Sequence, residues 1–408
     1  MRLMVYSHDA FGLGNIRRML TICEYLLRTL PNISILVVSG SPALHTLRLP
    51  EGLDYIKLPC LGRNTSGQLE ARYLKSMPET LVRLRSHLIL TAVVHFQPDV
   101  LLIDKKPLGL RNELKETLNH LNRHSPNTKR VLLLRDILDT PAATIQQWQV
   151  NNYYQLTQQH YDQIWIVGTP EIFNLPDEYN FPLPLRRKVR FCGYLSRGCG
   201  RTSQTVLRQQ LKIHPQEKLV VVTPGGGGDG HQLIQTYLAS MDQQLKAAQP
   251  IPKTVIISGP EMPTEEQQQL QTQVAAYPQI RLLEFSDDLI SYLNAADAIV
   301  AMAGYNTTCE ILSLRKPAVV VPRTRPVQEQ WMRAKRFADS GLLYAIHPQQ
   351  LTPQQLSQTL HRALTIKPHA INSFRLDGLP RIAQLMHDLM ACAVRPSNRD
   401  LAELSCAL

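Results

Sequence analysis

The chain is poor in aromatic residues: Phe, Trp and Tyr make up 6% of its 408 positions. That scarcity argues against a platform for stacking single-stranded bases, which needs rings at regular intervals. No RRM, KH or helix-turn-helix pattern accompanies the basic residues, so no nucleic-acid partner is expected. No apolar run approaches the ~20 residues that a helix needs to span a bilayer. Cysteine is sparse as well, seven in an odd number with no CxxC pair, which fits reduced thiols better than a disulfide framework or a zinc site. Internal repeats are absent. What is present is positive charge, formally +11. Either this draws the protein to an anionic membrane surface or an anionic acceptor, or it is scattered solvating Lys and Arg with no partner. The opening residues Met1-Arg2-Leu3-Met4-Val5-Tyr6 read as a strand rather than a signal peptide. The expected location is therefore the cytoplasm, with the inner face of the membrane as a peripheral site.

A length of 408 residues points to two domains of about 150–200 residues each. Apolar runs at 2–6, 34–39, 53–59, 98–104, 130–134 and 163–167 read as strands alternating with helices, the sixth closing a doubly wound sheet. Residues 146–161 read as one helix and 60–72 as a polar loop over a cleft. After the first strand comes Ser7-His8-Asp9-Ala10-Phe11-Gly12-Leu13-Gly14-Asn15. Ligands of open α/β sheets bind at the carboxyl ends of strands, which places Gly12, Gly14 and Asn15 near a ligand. His8 and Asp9 are titratable neighbours, and Asp104 and Asp136 follow later strands at the same edge. A carboxylate there could deprotonate a hydroxyl if its pKa is tuned. It could equally cap a helix or pair with Lys105 or Arg135.

The linker is read at 196–203, rich in Gly and Ser, and a second sheet starts at 218–223. Pro224-Gly225-Gly226-Gly227-Gly228-Asp229-Gly230-His231 follows. It is not a phosphate loop of the Walker type, because the Lys-Ser/Thr ending is missing. Four consecutive glycines still cost backbone entropy, so Gly226, Gly227 and Gly228 are expected to face a phosphate or sugar, with a hinge or tight turn as the alternative. Asp229 is placed there too, or as the cap of a helix over 232–246. Thr264-Glu265-Glu266-Gln267 reads as a capping box.

The stretch 284–330 organises the rest. A short strand at 298–301 runs into Ala303-Gly304-Tyr305-Asn306-Thr307-Thr308-Cys309-Glu310. A strand, a Gly turn and a helix N-terminus form an anion site, because free N–H groups and the helix dipole point outward. Glu310, about two turns in, would repel phosphate but suits the two hydroxyl donors of a ribose. The residues therefore suggest either a nucleoside diphosphate, with its phosphates near Gly304, Asn306, Thr307 and Thr308, or a Gly turn kept for packing beside a solvated Glu310.

The same stretch resembles the nucleotide-sugar site of two-domain glycosyltransferases. The resemblance runs through Phe285-Ser286-Asp287-Asp288, Ala296-Asp297, Gly304-x5-Glu310, Pro317, Pro322 and Gln328-x-Gln330. It is similar to family 28 enzymes that make the lipid precursor of peptidoglycan, and to a predicted bacterial glycosyltransferase group. The resemblance implies a GT-B fold, an α/β architecture of two Rossmann-like doubly wound domains facing a cleft. An acceptor-binding domain would cover 1–195 and a nucleotide-sugar domain 204–375, with a helix over 376–408 returning to the first domain before a frayed tail. It implies a UDP-sugar donor, a lipid-linked or polysaccharide hydroxyl acceptor, inversion at the anomeric carbon, and no metal or cofactor. Backbone groups near Phe285 and Leu289 would read the base, and Gln328 and Gln330 would complete the site. The required base is sought among Asp9, His8 and Asp136, in that order. The group commonly has His where this chain has Asn15, and a neutral amide takes no proton. Two alternatives stay open: a nucleotide-sugar 2-epimerase, and a non-catalytic nucleotide-sugar-binding protein.

Overall fold

The computed structural model describes residues 1–8, 14–42, 44, 49–63, 69–366, 370–371 and 374–393. Asp9 and Gly12, and with them most of the first glycine turn, lie outside the described residues.

Two parallel sheets carry the chain. The first is built from β1 (Arg2–Ser7), β2 (Ser34–Ser39), β3 (Leu53–Lys57), β6 (Val100–Asp104), β7 (Lys129–Arg135), β8 (Gln163–Val167) and β9 (Val189–Phe191). A separate antiparallel pair is formed by β4 (Leu61–Arg63) and β5 (Leu69–Ala71). The second sheet contains β10 (Leu219–Thr223), β11 (Lys253–Ile257), β12 (Ile280–Leu283), β13 (Ala298–Ala301), β14 (Ala318–Val320) and β15 (Tyr344–Ala345). The spatial orders are β3-β2-β1-β6-β7-β8-β9 and β12-β11-β10-β13-β14-β15. Helices cover both faces, so the strands are continuous apolar runs rather than alternating ones. All five residues of β6 and of β10 are buried, for example.

Both orders reverse direction once, at β1/β6 and at β10/β13. In open sheets a crevice opens outside the carboxyl ends of the strands at such a switch point. In the first sheet His8 and Lys105 flank it; in the second, the glycine loop and Ala303-Gly304 do. The helix Gly378–Ala393 packs on the helix Gly14–Thr29, and Gly378 N–H donates to Tyr194 C=O at 3.0 Å.

Several local readings are corrected. Residues 60–72 are not a plain loop, because β4 and β5 pair within them, and Leu61 packs with Leu81 and Leu110 in a small apolar cluster. The single helix expected over 146–161 is two, Pro141–Val150 and Tyr153–His160, broken where Asn152 takes a left-handed φ of 53°. Asn tolerates that region because its short side chain can bond locally. β9, not β8, closes the first sheet. No capping box forms at Thr264, since Pro263 occupies the cap position and has no side-chain acceptor.

Candidate functional site

The helix Tyr305–Ser313 starts directly after β13, and no side chain caps it. The N–H groups of a first turn have no partner within the helix, so these are available to a ligand. A methyl group built on Gly304 would meet nothing within 4 Å. With φ at −62°, this residue is not needed for an unusual backbone; the open space in front of it is what distinguishes it. The loop after β10 borders the same place, since a Cβ on Gly225 would lie 3.9 Å from Thr307 Oγ1.

The other glycines of that loop are spent on packing. Gly227 has φ +97°, and a Cβ there would come 2.4 Å from Ser258 C=O. Gly226 C=O accepts from Glu261 N–H at 2.8 Å, and a Cβ on Gly228 would make ordinary contact with Glu261. The expectation that 226–228 face the ligand thus meets a packing explanation. Asp229 caps nothing; the cap position of the helix His231–Lys246 is Gly230, and Asp229 lies 3.5 Å from Arg323 Nη1. Thr308 is buried and its hydroxyl bonds back to Gly304 C=O at 2.9 Å, so Asn306 and Thr307 are the side chains left at the surface of this turn.

The first sheet's layer meets this helix N-terminus to N-terminus. Asn306 Nδ2 donates to Gly14 C=O at 2.8 Å, and its Oδ1 accepts from Arg197 Nη2 at 3.3 Å. Arg17 Nη2 lies 3.2 Å from Glu310 Oε1. Glu310 is buried, and its other oxygen has no hydrogen-bond partner. The Arg197 guanidinium is held below its usual pKa range by burial, against the pull of Glu310. Two guanidiniums lie over the Tyr305 ring, Arg18 at 5.7 Å and Arg333 at 5.6 Å from its centre. Asn15 turns inward: Nδ2 bonds to His8 C=O, and Oδ1 accepts from Arg18 Nη2 at 3.3 Å.

The three proposed bases fare differently. Asp136 is fully engaged: Oδ1 accepts from Ile137 N–H and Arg333 Nη2, at 2.8 and 2.7 Å. Oδ2 accepts from Arg333 Nε and the Tyr194 hydroxyl, at 2.8 and 3.1 Å. A carboxylate holding four donors in a buried ion pair is a structural latch, not a free base. Arg333 also donates to Ala303 C=O at 3.0 Å, tying the end of β7 to the turn before Gly304. His8 is buried and its Nδ1 is unpartnered. Burial, then the charges of Lys105, Lys106, Arg85 and Arg135, hold its imidazole neutral, well below the usual pKa. Asp9 is outside the described residues.

Phe285 is exposed and Leu289 begins the helix Leu289–Ala295. Gln328 precedes the helix Glu329–Asp339, and its N–H reaches Asp139 Oδ1 at 2.9 Å across the two layers. Gln330 is buried and accepts from Arg323 N–H at 3.3 Å. Glu329 meets Arg135 at 2.5 Å; burial opposes its charge, but Arg135, Arg333, Lys105 and Arg323 together hold the carboxyl below the usual range. Arg17, Arg197, Glu329 and Arg333 were missed in the sequence, and Lys105 was read there only as a pairing partner for the strand-end carboxylates. Arg17 directly follows the glycine turn, a signal that could have flagged it; the others carry none. Among the described residues, no cluster of three or more His, Cys, Asp or Glu could hold a metal ion.

This architecture places the chain among the GT-B proteins. CalG4, the calicheamicin glycosyltransferase, superposes with a TM-score of 0.62 at 13% identity, covering 97% of this chain and 99% of that one. MurG of Acinetobacter baumannii gives 0.59 at 14%, covering 95% and 99%. A UGT transferase from Siraitia grosvenorii, solved in complex with UDP, gives 0.64 at 12%, covering 95% and 99%. Residues 219–374 match the glycosyltransferase family 28 C-terminal domain, so the second sheet and its helices are similar to that module, and the architecture as a whole is the GT-B fold. An uncharacterized glycosyltransferase of Methanopyrus kandleri is 26% identical over 44% of this chain and 48% of its own length. The UDP-N-acetylglucosamine--N-acetylmuramyl-(pentapeptide) pyrophosphoryl-undecaprenol N-acetylglucosamine transferase of Histophilus somni is 27% identical over 27% of this chain and 32% of its own. The matched region thus spans about half or less of these relatives.

Proposed function

We propose that the protein is a glycosyltransferase that moves a sugar from a nucleotide-sugar donor, a UDP sugar, to an acceptor hydroxyl. The observation that carries this reading is the uncapped start of the Tyr305 helix, with open space before Gly304 and Glu310 further along, facing the Gly14 helix. In this reading the diphosphate rests on the N–H groups of 305–307, and Glu310 accepts from the ribose diol. As the bond from the anomeric carbon to the diphosphate breaks, negative charge grows on the leaving oxygens. The helix N-terminus and Arg17 stabilise it, and the reading calls for no metal. A single displacement by the acceptor hydroxyl inverts the anomeric centre.

The acceptor enters against the first sheet, and a lipid-linked molecule at an anionic membrane suits the surface there. Tyr73, Leu74 and Met77, before the helix Pro78–Phe96, are exposed, as are Leu84 and Leu88 one turn apart on it. Arg72, Lys75 and Arg83 are interspersed and exposed. Apolar side chains among basic ones favour the interface of an anionic leaflet. Among the described residues no helix is long and apolar enough to cross a membrane.

The direct test is a thermal-shift screen of the full chain over UDP, GDP, dTDP and their sugars. A ligand that binds the folded state raises its midpoint by mass action. A selective shift with UDP and a UDP sugar is expected; no shift with any nucleotide would remove the donor site and the activity with it.

A further inference from the structure

The displacement needs a group to take the acceptor's proton, and the carboxylate at the end of β7 is locked in an ion pair. We propose that Lys105, at the β1/β6 switch point, is the base that removes the proton from the acceptor hydroxyl. This rests on the glycosyltransferase reading above.

Lys105 is the first residue after β6, beside β1 and His8 at the mouth of the crevice that the strand order opens. Its backbone has φ +73°, a left-handed conformation uncommon for a residue with a Cβ and found disproportionately at functional sites. The strained residue is held in place, since Lys105 N–H bonds to Leu133 C=O at 2.9 Å and Gly109 N–H to Lys106 C=O at 3.0 Å. Its ammonium has no ion-pair partner within 4 Å among the described residues. Of the carboxylates around it, Asp104 pairs through Oδ1 with Arg18 at 2.5 Å and keeps Oδ2 without a hydrogen-bond partner, and Glu329 pairs with Arg135.

The charged groups facing it are Arg135 from β7, Glu329 from the opposite layer, Asp104 and Lys106, with neutral His8 from β1. Asp9 lies outside the described residues. Burial, then Arg135, bring the Lys105 amine down to about 8, against the pull of Glu329 and Asp104. A base whose pKa lies near the working pH combines a sizeable unprotonated fraction with adequate proton affinity. In the step, the acceptor O–H gives its proton to Nζ, and its oxygen forms the new bond to the anomeric carbon. The bond from that carbon to the diphosphate oxygen breaks, and the electron pair leaves with the nucleoside diphosphate. The ammonium then returns its proton to solvent.

The test uses the full chain and release of UDP from UDP-GlcNAc, UDP-glucose and UDP-galactose, with water as the acceptor, from pH 6 to 10. In the wild type the rate should rise with pH and level off above an inflection near 8. K105M should slow release about a hundredfold or more while the calorimetric Kd for UDP stays within threefold. K105R keeps the charge but cannot lose its proton, so it should be equally slow. Independently, NMR of 13C-methylated lysines should show one resonance titrating near pH 8 that is missing in K105R. The assignment is overturned if either variant keeps the wild-type rate within threefold, if the loss follows UDP affinity, or if that resonance titrates above pH 10. Should K105M fail to fold, K105R and the titration decide. A wild type that neither binds UDP nor releases it sinks the glycosyltransferase reading itself. A wild-type rate that K105M retains sinks Lys105 alone.

Discussion

Arg17 Nη2 lies 3.2 Å from Glu310 Oε1, an ion pair that joins residues 293 positions apart and the start of one helix to the second turn of another. Glu310 is buried and keeps one oxygen without a partner, so the acid expected to hold a ribose is already half-engaged from the facing layer. A nucleotide must share or displace that guanidinium. E310A should weaken UDP binding at least tenfold in a calorimetric titration. E310Q, which retains one carbonyl acceptor, should fall between the two. Unchanged affinity in E310A would remove the ribose role.

Two glycines should respond in opposite ways. G304A puts a methyl where no atom lies within 4 Å, at an ordinary φ of −62°. Stability should stay within about 0.5 kcal/mol, while UDP affinity drops because the methyl occupies the phosphate's space. G227A demands a left-handed φ of +97° and a Cβ 2.4 Å from Ser258 C=O. It should cost about 1–3 kcal/mol, read in thermal unfolding.

The Asp136–Arg333 pair predicts a stability phenotype. Removing one member strands the other as a buried charge, so D136A and R333A should each destabilise by about 3–5 kcal/mol. The double variant D136L/R333M should lose less than their sum. If D136A instead folds normally and is merely inactive, Asp136 belongs to the chemistry after all.

Acid should weaken the fold, with a sign set by His8 and Glu329. His8 is held neutral well below its ordinary 6.5. Below 6.5 the unfolded chain takes up a proton that the folded chain refuses, so stability falls as pH falls. Glu329, held below 4.5, contributes stability above 4.5 that is lost as pH drops through its folded value. Thermal midpoints of H8Q should decline less than those of the wild type below pH 6.5.

The exposed apolar residues of the Pro78 helix and its approach make a last prediction. L84E/L88E should reduce co-sedimentation with vesicles containing phosphatidylglycerol, and leave the thermal midpoint unchanged because both side chains are exposed. Equal binding by variant and wild type would rule out this face.

Much of the fold is legible in the chain. Buried parallel strands must be uninterrupted apolar runs, and β1, β2, β10 and β13 stand out for that reason. The strand–Gly–helix signal at Ala303-Gly304 is local, so the uncapped helix start there is legible too. What misled was chemistry that sequence leaves ambiguous: Asp136 at a strand end reads as a base until Arg333, 197 positions away, is seen to hold it.

Period, turn chemistry and helix starts determined the two sheets and the strand–Gly–helix turn at Ala303-Gly304, because each depends on neighbours within a few residues. Which carboxylates are locked, and that Lys105 has no ion-pair partner among the described residues, was decided by the tertiary structure. A charge takes its role from the groups brought within about 4 Å of it and from its burial, and those groups come from distant parts of the chain.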